Sequence, residues 1–189
     1  MINISLLAKK KRNNSNKVLE SIIFRWSPRM MTGKTIPEND LLTLIEAALY
    51  APSAFNAQPE RFYYAKQGDK SFTDLIQLLS AFNQNWCKKA AFLIIVVSKK
   101  TFEHNGKFDR THSFDSGAAW QAFAIEGVNR NFVVHAMSGF DYDKAKQYLK
   151  LGDDYDVECM IAVGQPSDEV NQEKITLRKP VKEIAIKLT

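Results

Sequence analysis

The stretch Ala90-Ala91-Phe92-Leu93-Ile94-Ile95-Val96-Val97-Ser98 holds an unbroken apolar run from Ala90 to Val97. The run is too short to cross a bilayer. Its β-branched second half favours a strand. Continuous rather than alternating apolarity predicts a strand covered on both faces, and therefore a sheet with helices packed on it.

The flanking sequence supplies the partners. Phe72 to Phe82 reads as one amphipathic helix, with Phe72, Leu75, Ile76 and Leu79 on one stripe. Upstream, Lys17 to Phe24 reads as a short helix and Arg61 to Lys66 as a strand. Ile36-Pro37-Glu38 starts a helix that Leu41, Leu44, Ile45, Ala48 and Leu49 continue, with Glu38 and Asp40 favouring the dipole. Downstream, Asn105 to Ser113 reads as a polar, mobile loop. Asp115 or Ser116 is expected to cap a long helix to about Asn131. Val133 to Met137 and Val157 to Gly164 are strands, and Asp141 caps a helix from Tyr142 to Leu149. Gln165 to Lys174 is polar loop, and Ile175 to Thr189 an extended tail. Helices interleaved with a few non-adjacent strands predict one mixed sheet flanked by helices. No second domain boundary interrupts residues 18–189.

Composition bounds the class. With 45% hydrophobic and 25% charged residues, the 189-residue chain is that of an ordinary globular protein with one sizeable core. No membrane-crossing run and no secretory signal is read in it, and two cysteines make no disulfide framework. The expected setting is cytoplasmic, with reduced thiols. The net charge of +5 lies wholly in residues 1–17, through Lys9, Lys10, Lys11, Arg12 and Lys17. Residues 18–189 are neutral, so 1–17 is expected to be a flexible basic tail, and neither nucleic acid nor a membrane is expected as partner.

Ala51-Pro52-Ser53-Ala54-Phe55-Asn56-Ala57-Gln58-Pro59 is stiff and rich in hydrogen-bonding groups. It suits a flat, polar-edged ligand, although Pro, Ser and Asn also make ordinary turns. Arg25, Ser27 and Arg29 alternate, and Pro28 biases Ser27 toward an extended backbone, so all three side chains share a face. Two guanidinium groups and a hydroxyl there suit a phosphate, and Arg178-Lys179-Pro180 offers two more cations. Surface ion pairs are the alternative for each cluster. His104, His112 and His135 stand at no metal-ligand spacing, so no metal is expected, and His135 reads as a structural histidine. No nucleophile or phosphate-loop motif is present. Anion clamps and amides without a catalytic side chain fit a cofactor that carries the chemistry itself.

In order, Arg25-x-Ser27-x-Arg29, Ala51-Pro52-Ser53-x-x-Asn56-x-Gln58-Pro59 with Arg61-Phe62, Asn83-Gln84-x-Trp86, His135-x-Met137-x-Gly139-Phe140-Asp141, Gly164-x-Pro166 and Arg178-Lys179-Pro180 resemble the FMN-dependent nitroreductase family. The likeness runs from about Ser21 to Ile184. It implies a homodimer of α+β subunits with an extended C-terminal tail and FMN in each interface cleft. Arg25, Ser27 and Arg178, with Trp26 and Lys179 beside them in the motifs, would hold the phosphate and ribityl. Arg29 and Asn83 would face the ring's pyrimidine edge. Pro52, Ser53 and Ala54 would come from the second subunit, Asn56 would bond the cofactor's polar chain, and Gln58 of the same loop would also bind the cofactor. Met137, Ser138 and Gly139 would line the flavin near N5. Trp26, Glu60 and Ser138 depart from the family's usual basic residue, Trp and Glu.

The activity so implied is oxidoreduction in a ping-pong cycle. NADPH or NADH gives electrons through flavin N5 to a small acceptor such as a nitroaromatic or quinone. The alternatives are another flavin reduction on the same fold (dehalogenation or enone reduction) and a flavin-binding protein with little turnover.

Overall fold

The computed structural model describes residues 2–12 and 18–188. Its centre is strand β2 (Phe92–Lys99), whose first seven residues are all buried. Strands β1 (Glu60–Lys66), β3 (Val133–Met137) and β4 (Tyr155–Gly164) join it in the order β1-β2-β4-β3. The expectation of a mixed sheet is corrected, because all three pairings are antiparallel. Apolar pattern fixes which residues lie in a sheet but not the direction in which neighbours run.

Alternation along β2 splits the core in two. Phe92, Ile94 and Val96 meet α3 (Glu38–Leu49) and α6 (His112–Asn129) through Leu41, Leu44, Ala119 and Phe123. Leu93, Ile95 and Val97 meet α4 (Lys70–Leu78), α5 (Ala81–Cys87) and α7 (Tyr142–Tyr148) through Leu75, Ile76, Cys87 and Ala145. Period-2 geometry sends successive side chains to opposite faces, so a strand with helices on both sides must be apolar throughout.

Three local expectations are corrected. Phe72 to Phe82 is two helices rather than one. The Ser80 N–H donates to Gly139 O at 2.9 Å, while its hydroxyl caps α5 by accepting from Asn83 N. Residues 105–113 are tied down. Asp109 is buried, its N–H donates to Lys100 O at 2.7 Å, and Thr101 bridges Phe108. Thr111, not Asp115 or Ser116, stands at the N-cap of α6.

The N-terminal segment differs most from expectation. Ile4–Lys11 is helix α1, capped by the Asn3 side chain, with Ile4 and Ala8 fully buried against Trp26, Val128 and Val170. Residues 1 and 13–17 of the expected flexible tail lie outside the described residues. Trp26 Nε1 donates to Ile4 O at 3.0 Å, and Asn131 accepts from Ile4 N and donates to Ile2 O. Burial of a side chain such as Ile4 contributes roughly 1.5–3 kcal/mol. A basic composition hid a helix whose apolar residues, Ile4, Leu7 and Ala8, are spaced to cover one face.

Beyond β4, two short turns, Asp168–Gln172 and Val181–Glu183, interrupt otherwise extended chain. Leu177, Val181, Ile184, Ile186 and Leu188 are all exposed.

Candidate functional site

Between α2 (Glu20–Phe24) and α3 the chain runs extended, carrying Arg25 to Met31 along one wall of a cavity of about 690 Å³. Two contacts hold this segment. The Glu173 carboxylate accepts the Arg29 and Met30 N–H groups at 2.7 and 2.8 Å, and His135 Nδ1 lies 3.1 Å from Pro28 O. Burial first, and the neighbouring Arg29 charge after it, push His135 below its ordinary value, against the pull of that carbonyl. This is the structural role expected of His135.

Phe82, Asn85, Trp86 and Lys89 of α5 and its C-terminal extension form another wall. Glu173, Lys174, Thr176 and Arg178 close a third side. Apolar surface comes from Met31, Phe82 and Trp86, and the Arg29 guanidinium lies 5.7 Å over the Phe82 ring. Volume and lining match a site for a small planar ligand.

Four arginines converge here: Arg12, Arg25, Arg29 and Arg178. Among the described residues none of them is in an ion pair with a carboxylate. Arg25 Nη1 donates to Ser27 Oγ at 3.1 Å and Arg178 Nη1 to Thr176 Oγ1 at 3.3 Å. Burial, then the Arg178 and Arg25 charges, push Arg12 down to about 10. Arg25 is lowered by burial and by Arg178. The Nε atoms of Arg12 and Arg29 are buried without an acceptor among the described residues. Buried donors are ordinarily satisfied, so these orphans and the unbalanced charge fit a ligand that brings anionic oxygens.

Of the residues singled out from sequence, Arg25, Trp26, Ser27, Arg29 and Arg178 line this cavity. The Trp26 ring is part of the floor on which α1 docks, packed with Ile4 and Ala8. Lys179 is exposed and outside the lining, whereas Lys174 and Lys89 are in it. Asn83 does not offer its amide to the cavity. Its Nδ2 donates to Gly139 O at 3.0 Å and its Oδ1 accepts from Trp86 Nε1 at 3.1 Å. Met137 is buried beside Cys87, Ser138 is exposed, and Gly139 packs on Asn83, so none of the three is among the lining residues. Arg12 was missed because it falls in the basic segment.

Pro52, Ser53, Ala54, Asn56 and Gln58 also lie outside this cavity. Their loop is anchored on α6, where Asp115 Oδ2 accepts Ala54 N–H at 2.8 Å. Ser53 Oγ accepts Gln58 N–H at 3.0 Å. Phe55, Asn56 and Gln58 have φ of 52°, 55° and 46°. Phe55 projects outward, 85% exposed, with its ring edge-on to Phe102 at 5.6 Å.

Cys87 and Cys159 are free thiols that burial pushes up to about 12, so neither is a ready nucleophile. Among the described residues no helix is long and apolar enough to cross a membrane.

Comparison with known proteins places this geometry in a family. The sequence profile of the nitroreductase family matches residues 22–165, and the chain belongs to that family. A crystal structure of an oxidoreductase containing FMN is similar to it at a TM-score of 0.87 and 34% identity, covering 93% of each chain. An FMN complex from Desulfovibrio desulfuricans shares the fold at a TM-score of 0.74 and 22% identity, over 93% of this chain and 99% of that one. An uncharacterized 15.4 kDa protein of Mycolicibacterium smegmatis is 34% identical over 83 residues, or 42% of this chain. The chain spans about half, 52%, of that curated relative's length.

Proposed function

We propose that the chain is an FMN-dependent oxidoreductase that passes electrons from NADPH or NADH to a small acceptor such as a nitroaromatic or quinone. The observation that carries this reading is a cavity of four arginines, none of them in an ion pair among the described residues, beside an aromatic wall. Bound FMN supplies the two-electron centre. Arg25, Ser27 and Arg178 hold its phosphate through charge-assisted hydrogen bonds. Arg29 would bring a cation to the side of the cavity that holds the ring, a charge that would favour electron uptake by the flavin. Met31, Phe82 and Trp86 would exclude water from the part of the cavity that takes the ring.

A homodimer completes the reading. Pro52, Ser53 and Ala54 sit away from the cavity of their own chain, and a second copy delivers them to the cleft. The domain that does this spans residues 18–189, with α1 docked on it. The acceptor enters the cleft after nicotinamide leaves, so one site serves both half-reactions.

The test is the visible spectrum of purified protein with added FMN, then with NADPH or NADH under anaerobic conditions. A bound flavin band that bleaches with either nucleotide is expected. Flavin that binds without bleaching reduces the reading to a flavin binder. No flavin binding overturns it.

A further inference from the structure

Arg12 follows the last residue of α1, and the fold explains only part of what its guanidinium does there. Nη1 donates to Ile23 O at 2.6 Å and to Arg25 O at 2.8 Å. These are carbonyls at the C-terminal end of α2, which lack helical partners. Nη2 donates to Thr176 O at 3.4 Å. The Nε–H is buried and meets no acceptor among the described residues.

Charge is the second thing left unexplained. Thr176 gathers two cations, accepting from Arg12 on its carbonyl and from Arg178 on its hydroxyl. All three guanidinium groups line the same cavity, and beyond burial the Arg178 charge lowers the basicity of both Arg12 and Arg25, with the Arg25 charge adding to the effect on Arg12. The neighbouring acids are committed elsewhere. Glu20 pairs with Lys9, and Glu173 accepts the Arg29 and Met30 backbone. Closing two helix-end carbonyls does not require a third guanidinium beside two others. A dianion among them does, because a phosphate monoester offers three terminal oxygens to planar donor groups. Arg12 also lies outside residues 22–165, the span that the family profile matches.

We infer that Arg12 is a third arm of the phosphate site: its guanidinium binds the same phosphate monoester as Arg25, Ser27 and Arg178, and so fastens helix α1 to the bound cofactor. This rests on the proposed FMN site and adds to it a residue from the N-terminal helix. Arg12 is thus a binding residue with a second duty as a helix-end cap. FMN binding should in turn hold α1 in place.

Riboflavin, which lacks the phosphate, separates the two duties. Dissociation constants for FMN and riboflavin are measured by flavin fluorescence on the full chain, for the wild type, Arg12→Ala, Arg12→Lys and Lys10→Ala. Arg12→Ala is expected to weaken FMN about tenfold to a hundredfold, the scale of a charged hydrogen bond, and to leave riboflavin within about twofold. Arg12→Lys keeps the charge but loses the planar fork, so it should weaken FMN by a smaller factor and spare riboflavin. If Arg12→Ala does not fold, Arg12→Lys decides. Lys10, exposed on the same helix, controls for charge at a distance, and Lys10→Ala should move neither constant. Equal loss of both flavins, or an unchanged FMN constant, overturns the inference. A wild type that binds FMN no better than riboflavin defeats the phosphate reading of the cavity itself. A wild-type preference for FMN that survives in Arg12→Ala defeats Arg12 alone.

Discussion

Arg12 and Arg29 each bury an Nε–H that meets no acceptor among the described residues, whereas the Ser53–Gln58 turn meets its needs from within the chain. Its Ala54 N–H goes to Asp115, its Gln58 N–H to Ser53 Oγ, and its Asn56 N–H to Ser53 O. The turn holds three non-glycine residues at positive φ, a conformation that costs roughly 1–2 kcal/mol per residue. The arginine cavity is relaxed in backbone and unsatisfied in side chain. The turn is strained in backbone and satisfied in hydrogen bonds. Unmet donors point to a ligand that is to come. A strained turn held by its neighbours points to a surface shaped in advance and presented outward.

This contrast can be broken by exchanging the effects of mutations in the two regions. The largest effect is expected from Arg25→Ala, which should weaken FMN about tenfold to a hundredfold while leaving the urea midpoint of the flavin-free protein within error. Unchanged flavin affinity would show that the cavity is not the phosphate site. Asp115→Ala should do the reverse. It strips the acceptor from Ala54 N–H, and should cost about 1–3 kcal/mol of stability in urea unfolding. A variant of full stability would show that the turn holds its shape without α6.

The smallest effect sharpens the comparison through pH. His135 is held below its ordinary 6.5 mainly by burial. As pH falls through 6.5 the unfolded chain takes up this proton first. The contribution is therefore fully present above 6.5 and is lost progressively as pH drops toward and through the lower folded value. Urea midpoints measured from about pH 8 to pH 5 should show that decline in the wild type and a shallower one in His135→Gln. Equal slopes would remove His135 as the group that responds.

The sequence pattern was most informative where one physical signal dominated. Ala90 to Val97 announced a strand covered on both faces, and Asp141 announced the start of α7, where it accepts Lys144 N–H at 3.0 Å. Arg25, Ser27 and Arg29 were legible as one face because alternation around a proline is a local property. Long-range contacts were not legible. Nothing local to Leu79-Ser80 reveals that Gly139 O waits for the Ser80 N–H and ends the preceding helix. Asp115 looked like a helix cap, and its carboxylate instead serves a loop 61 positions away. Arg12 was hidden by its neighbours, since Lys9, Lys10 and Lys11 make the segment read as solvated charge although Ile4, Leu7 and Ala8 carry a helical apolar face.

The strand order has a consequence for how the chain is made. Ile95 at the centre of β2 pairs with Met160 of β4, about 65 residues later. A ribosome adding roughly 5–20 residues per second leaves that apolar segment without its central partner for several seconds. Nascent chains are therefore expected to be clients of holding chaperones over that interval, and truncations that end before β4 to aggregate through Phe92–Val97.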